Sequence, residues 1–206
     1  MKKHIFTISF ALFFGNIYAQ SLEIKYYNNG EVRTMGELKD DKRQGTWITI
    51  DEKRNVSEQA EYQDGELHGT VRKYDTRGKL TERVTYDMGK LHGPYEKFFS
   101  NGNIRERGTY EKGNKHGEYT WFFDNGVRAT TYFYSQGVIE GEITAYDKNG
   151  NVKSITTFKN NTMQGSYKEF YPDGNIKVEG NYKNGEKSGT WKNYDVSGKV
   201  ISSEKN

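Results

Sequence analysis

Aromatic, apolar and glycine residues recur along the chain at a fixed spacing of 24 residues. One glycine series comprises Gly45, Gly69, Gly93, Gly117, Gly141, Gly165 and Gly189. A mostly aromatic series comprises Trp47, Val71, Tyr95, Tyr119, Ile143, Tyr167 and Trp191. No insertion interrupts the period between residues 22 and 204. A constant period of this length indicates an array of structural repeats, each packed on its neighbours.

Each repeat has the pattern of a β-hairpin followed by a second turn. Residues 94–99 alternate and end in aromatic residues, Asn101-Gly102 follows, and residues 103–111 alternate again. Asn-Gly between two such runs predicts a type I′ turn, in which both central residues have positive φ. Residues 112–117 then form a second turn that leads into the next strand.

The period therefore predicts an all-β fold without helices. We expect an elongated antiparallel β-meander of about eight 24-residue hairpin repeats, with sixteen strands in a single twisted sheet. At about 9.6 Å per hairpin, the array would be roughly 70 Å long before twist. The repeats would form one domain, residues 20–206.

Equivalent positions of successive repeats form columns along the sheet, and two observations bear on which face of the sheet a column occupies. Trp47 and Ile50 are three residues apart, so they lie on opposite sides of a flat strand unless a bulge rotates one of them. Gly36, Gly108 and Gly180 share a face with the return-strand tyrosines, where they would leave room for a neighbouring ring.

Residues 1–19 have the pattern of a signal peptide. Lys2 and Lys3 precede a short apolar run from Ile5 to Phe14, and Ala19 is the expected cleavage point. A membrane anchor is the alternative, but the run is shorter than the roughly 20 residues needed to span a bilayer. The pattern predicts export to the periplasm or the extracellular medium.

Composition and charge narrow the classes of function. Aromatic residues make up 15% of the chain, there is no Cys, and the net charge of +3 becomes +1 once Lys2 and Lys3 are removed. Disulfides and thiolate sites are therefore excluded, and the near-neutral charge disfavours nucleic acid and anionic membrane lipid as partners.

The histidines and carboxylates give no catalytic or metal-binding pattern. His68, His92 and His116 occupy one repeat column, about 9.6 Å apart, whereas ligands of one zinc ion converge to roughly 2.0–2.1 Å from it. We interpret them as turn residues. Asp51, Asp75, Asp147 and Asp195 form a column at hairpin tips that Phe and Tyr also occupy, so it is not a dedicated acid site. We expect no enzyme activity, no catalytic or metal-binding residues and no cofactor.

The fifth hairpin carries aromatic residues outside the repeat columns. Trp121 and Phe133 occupy positions that are usually polar in other units, and we expect both to add apolar area on a second face of the fifth hairpin. Arg128 replaces an apolar residue that follows the tip elsewhere. The candidate binding patch comprises Trp121, Phe122, Phe123, Arg128, Tyr132, Phe133 and Tyr134. Stacked rings also stabilise a sheet, so a role in the core is the alternative.

The repeat sequence resembles the bacterial variant of the MORN repeat. The resemblance rests on the tips YYNNG, FFSNG, FFDNG and FYPDG and on the second turns DGELHG, MGKLHG and KGNKHG, and it covers residues 22–204. Asp41, Arg54, Arg128 and Ile139-Glu140 depart from the pattern, so we expect the second and fifth units to be irregular. The resemblance implies a scaffold, a membrane-associated protein or an antitoxin-like partner.

These observations together favour binding over catalysis. The leading hypothesis is an exported protein-interaction module whose partner is another protein, in its most specific form an immunity-type partner of a secreted toxin. The alternative is a cell-envelope module that binds cell-wall glycan or membrane.

Overall fold

A computed structural model describes residues 20–206, which form strands and turns throughout and divide into two compact units at Gly102. The first unit contains β1 (Gln20–Tyr26), β2 (Val32–Lys39), β3 (Lys42–Ile50), β4 (Val56–Gln63), β5 (Glu66–Tyr74), β6 (Leu80–Asp87) and β7 (Lys90–Phe98). The second contains β8 (Ile104–Glu111), β9 (Asn114–Phe122), β10 (Arg128–Ser135), β11 (Val138–Ile139), β12 (Gly141–Tyr146), β13 (Val152–Lys159), β14 (Thr162–Phe170), β15 (Ile176–Lys183), β16 (Glu186–Tyr194) and β17 (Val200–Lys205). Residues 20–206 include no helix long and apolar enough to cross a membrane.

Within each unit the strands follow one another as an antiparallel meander. In the first unit β1 to β7 pair in chain order. In the second, β8 to β17 do the same, except that β11 and β12 both pair with β10. The prediction of an all-β meander is confirmed.

The structure has seventeen described strands instead of the expected sixteen. The extra strand arises in the fifth 24-residue repeat, where Glu140 interrupts the strand pairing and separates β11 from β12. The Glu140 backbone N–H donates to the Phe133 carbonyl at 3.0 Å. The irregularity that the sequence indicates at Ile139-Glu140 therefore divides one strand into two.

The prediction of type I′ turns at the hairpin tips was wrong. At each tip only the final residue has positive φ, for example Gly102 (φ 90°) or Arg54 (φ 66°), so Asn101-Gly102 is not a type I′ turn. In the fifth hairpin the Gly126 N–H donates to the Phe123 carbonyl at 2.9 Å, which closes a type I turn before a left-handed glycine. The second turns have two residues of positive φ, such as Lys112 (50°) and Gly113 (90°), and these are the type I′ turns.

Alternate strand positions define two faces in each unit. The face that carries Trp47 and Val71 in the first unit, and Tyr119 and Trp191 in the second, is called the core face because these side chains are at most 3% exposed. The opposite side is called the second face. The register shift at Thr49 and Ile50 comes from an extra residue, Ser57, on β4. Ile50 therefore stays on the second face, and the Trp47 and Ile50 columns belong to opposite faces.

Glycine makes room for rings on the core face at three places. A Cβ atom at Gly36, Gly108 or Gly180 would overlap the ring of Trp47, Tyr119 or Trp191, respectively. A cation covers each ring: Arg43 lies 4.2 Å from the centre of Trp47, Lys115 lies 4.0 Å from Tyr119, and Lys187 lies 4.4 Å from Trp191. The predicted role of these glycines is confirmed. Each site is a stack of backbone, ring and cation, stabilised by contact and by cation–π attraction.

Candidate interaction surface

The register of β9 and β10 divides the predicted patch between the two faces. Trp121 pairs with Thr130 and Tyr132 pairs with Tyr119, which places Trp121, Tyr132 and Tyr134 on the core face. Phe133 pairs with Glu118, and Arg128 pairs with Phe122, so these side chains lie on the second face. The expectation that Trp121 and Phe133 share a face was wrong. Trp121 faces Thr130, and Phe133, three positions further along β10, points to the other side.

Trp121 extends the core towards the hairpin tip. It pairs with Glu106 on one side and is 39% exposed, while Glu106 is 5% exposed. The Tyr119 hydroxyl donates to the Glu106 carboxylate at 3.2 Å, and an Arg105 guanidinium nitrogen lies 3.2 Å from the same group. A buried carboxylate needs such partners. Trp121, on β9, is the residue directly opposite Glu106 in the strand pairing.

Tyr132 and Tyr134 belong to the aromatic packing of the core face. The Tyr134 ring meets the Tyr119 ring edge to face at 5.7 Å, and it lies 6.2 Å from Tyr132. Burial, with a smaller effect from Tyr132, raises the pKa of the Tyr134 hydroxyl. For these two residues the packing explains the aromatic character.

The remaining aromatic and cationic side chains form a group on the second face of the fifth hairpin. Phe133 is 51% exposed, and Thr120, between Phe122 and Phe133 along this face, is only 4% exposed. The Arg107 guanidinium lies 5.9 Å from the centre of the Phe122 ring. We call Arg107, Phe122, Arg128 and Phe133 the second-face patch. It combines two rings with two guanidinium groups on one hairpin and its neighbouring strand.

Sequence reasoning missed Arg107 as part of this surface. Arg83 contacts Phe98 at 5.9 Å in the same way, one repeat earlier. The available signal was that Arg83 and Arg107 are 24 residues apart and that each precedes a phenylalanine by fifteen positions.

Phe123 lies at the hairpin tip, apart from both groups. It lines a cleft of about 450 Å³ together with residues of the next two tips, including Tyr146 and Tyr171. The Lys148 ammonium group lies 5.9 Å from the centre of the Phe123 ring. The seven predicted residues thus occupy three different places.

The histidine column contributes to the turns. At equivalent positions the side-chain oxygens of Gln44, Glu140 and Gln164 accept the backbone N–H of Asp64, Asn160 and Asn184 at 3.0, 3.1 and 2.9 Å, respectively. Each bond ties one unit to the next turn.

The histidines themselves pair with different carboxylates. His68 lies 3.3 Å from Asp87, and His116 lies 3.5 Å from Glu111. Within residues 20–206, no three His, Asp or Glu side chains converge on a position that could hold a metal ion.

The aspartates at the tips hold the turns in place. The Asp75 carboxylate accepts the backbone N–H groups of Arg77 and Lys79 at 2.8 and 3.0 Å, and these bonds lower its pKa. A side-chain bond from Asn151, assisted by backbone N–H groups, lowers the pKa of Asp147. These carboxylates therefore have a structural function.

Comparison with known families identifies the repeat. The family model described as MORN repeat variant matches five successive segments, residues 67–88, 91–112, 115–136, 139–160 and 163–184, which together exceed half of the chain. A search of curated proteins finds no match. Each matched segment begins near the start of a forward strand and ends in the type I′ turn after the return strand. MORN repeats generally mediate interactions with proteins or membranes. The chain belongs to the MORN repeat variant family.

Proposed function

We propose that this chain is an exported, non-catalytic module that binds another protein through the second-face patch of its fifth hairpin. The observation that supports this most directly is Phe133, which keeps 51% of its surface exposed. The equivalent positions of the other repeats are occupied by polar residues: Glu37, Glu61, Thr85, Thr109, Thr157 and Asn181. Polar residues satisfy the fold there in every other unit, so the phenylalanine has a role that the repeat itself does not require.

The chemistry of the patch fits a protein partner. Binding energy in protein interfaces concentrates in a few aromatic and Arg residues, and the patch supplies two of each. Full burial of a Phe side chain contributes roughly 1.5–3 kcal/mol. The guanidinium group of the exposed Arg128 can donate several hydrogen bonds. The complementary surface would be an apolar pocket bordered by carboxylates.

In its most specific form, the proposal is that the chain is an immunity-type partner of a secreted toxin and acts in the periplasm or outside the cell. Two sequence features support it: the signal-peptide pattern of residues 1–19 and the resemblance to antitoxin-like repeat proteins. Residues 1–19 lie outside the described part of the chain.

The test is Phe133→Thr, which introduces the residue found at three equivalent positions. We expect the melting temperature to stay nearly unchanged and the affinity for a captured partner to fall by about 2 kcal/mol, roughly thirtyfold. Ile201→Thr is the matched control, because Ile201 is 63% exposed and lies outside the patch. It should leave binding intact.

Two results would contradict the proposal. Undiminished capture of the partner by Phe133→Thr would remove the patch from the interface. Retention of the wild-type chain on purified cell wall or on lipid vesicles, with no captured protein, would favour the envelope-binding alternative.

A further inference from the structure

The cleft at the hairpin tips of the second compact unit is separate from the second-face patch. Its volume is about 450 Å³, within the range of ligand-binding pockets. Phe123, Tyr146 and Tyr171 come from three successive tips, and Val152, Phe170 and Pro172 complete its apolar lining. A ligand with a large apolar side chain would find several rings within one opening.

Both carboxylates of the cleft are already engaged. The Glu169 carboxylate accepts a bond from the Lys177 ammonium at 2.7 Å. The Asp147 carboxylate accepts the backbone N–H groups of Asn149 and Asn151 at 2.8 and 2.9 Å and the Asn151 side-chain amide at 3.0 Å. These groups are therefore not free to bind hydroxyl groups of a sugar, which would have to displace existing bonds.

The cations of the cleft are less engaged. Lys153 is exposed and makes no ion pair or hydrogen bond with any residue of the described range. The Lys148 ammonium makes no ion pair or hydrogen bond with residues 20–206 and lies 5.9 Å from the centre of the Phe123 ring. Lys177 neutralises Glu169, whereas Asp147 keeps its negative charge, so Lys148 and Lys153 leave the cleft with a net formal charge of +1.

We propose that this cleft binds an acidic segment of another protein, one that places a carboxylate beside an aromatic or large aliphatic side chain. The apolar side chain would pack on the aromatic rings of the cleft, and the carboxylate would pair with Lys148 and Lys153. Charge complementarity selects this occupant, because the lining combines aromatic rings with a net positive charge.

The experiment uses a fluorescein-labelled, acetylated peptide of alternating Glu and Phe and the full chain. The peptide should bind, and the same peptide with Gln in place of Glu should bind roughly tenfold more weakly, because the pairing with lysine is lost. The double variant Lys148→Gln/Lys153→Gln should weaken binding of the acidic peptide by a similar factor.

Matched variants separate the cleft from the fold. Tyr171→Asp introduces the residue that Asp147 and Asp195 provide in the neighbouring units, and it should also weaken binding roughly tenfold. Phe99→Asp changes the equivalent ring outside the cleft and should leave binding unchanged. Phe133→Thr should leave it unchanged as well, so failure of the second-face patch and failure of the cleft are distinguishable.

Three results would overturn the inference: no binding of the acidic peptide to the wild-type chain, equal binding of the Glu and Gln peptides, or undiminished binding by the double lysine variant. The chain could instead bind phosphatidylglycerol vesicles or oligogalacturonate in a lysine-dependent way and not bind the peptide. That result would assign the cleft to lipid or to acidic glycan and would also overturn the inference.

Discussion

At the scale of single residues, Trp121 and Phe133 replace polar residues but differ in surroundings. Trp121 lies beside the buried Glu106, whereas Phe133 is 51% exposed. We expect Trp121→Ala to lower the free energy of unfolding by about 2 kcal/mol, part of the 3–5 kcal/mol typical of a fully buried Trp. Phe133→Ala should cost about 0.5 kcal/mol or less. Urea denaturation of both variants measures this, and a larger loss for Phe133→Ala would place that ring in the core.

Gly108 offers a second test at this scale, because a methyl group there would overlap the Tyr119 ring. Gly108→Ala should lower the free energy of unfolding by roughly 1–3 kcal/mol through overpacking. The double variant Gly108→Ala/Tyr119→Val recreates the natural pair of Ala60 and Val71. It should be more stable than the sum of the single effects in a double-mutant cycle. Additive losses would show that the ring does not limit the space at Gly108.

The sequence was sufficient to predict the pairing of glycine with a ring, because Gly36, Gly108 and Gly180 stand out within their own column. It was not sufficient to predict exposure. Tyr132 occupies the same column as Gly108, yet it packs with Tyr134 in the aromatic cluster of the core face. Whether an extra ring is buried depends on the sizes of its neighbours across two strands, which a one-dimensional pattern does not contain.

At the scale of elements, the tip turns make stability depend on pH. Hydrogen bonds lower the pKa of Asp75, Asp147 and Asp195 below the ordinary value of 3.8. A carboxylate with a lowered pKa stabilises the folded state above its unfolded value and loses that contribution as the pH falls below it. We therefore expect the melting temperature to drop below about pH 3.8, which thermal melts over a pH series would measure.

The triple variant Asp75→Asn/Asp147→Asn/Asp195→Asn is the control for this effect. Asn keeps a side-chain oxygen that can accept the turn N–H groups, but it does not titrate. Its acid-induced loss of melting temperature should be smaller than that of the wild type, with a remainder from Glu31 and Glu179, whose pKa values are also lowered. An equal loss in both proteins would assign the pH dependence to other groups.

The hairpins were predictable at this scale, but the turn types were not. Asn-Gly correctly marks the chain reversal at Asn101-Gly102, yet the loop is long enough for only the glycine to need positive φ. In contrast, Met88 adopts φ 42° in a type I′ turn because only two residues connect β6 to β7. Loop length decided the conformation in both cases, and residue identity alone gave the wrong assignment.

At the scale of the whole molecule, every described strand pairing within a unit joins strands that are close in sequence. Such chains depend on nearest-neighbour contacts, and local contacts favour rapid folding. This is why a period of 24 residues was enough to predict the all-β meander. The proposed second-face patch arises instead from departures from the period, whose effects depend on three-dimensional surroundings.

The mature form of the molecule is also testable. We expect processing after Ala19, so that the exported protein begins at Gln20, the first residue of β1. Intact-mass spectrometry of secreted or periplasmic material measures this directly. Exported protein that retains residues 1–19 would exclude cleavage and favour an N-terminal anchor.

The bonds from Gln44, Glu140 and Gln164 to the following turn also bear on how such a chain evolves. Each spans 20 residues and joins a unit only to its successor. Unequal recombination within the gene could therefore add or remove one repeat's codons while each remaining unit still meets an equivalent successor. The number of repeats can then drift between lineages, and selection would act on the few units whose surfaces bind something.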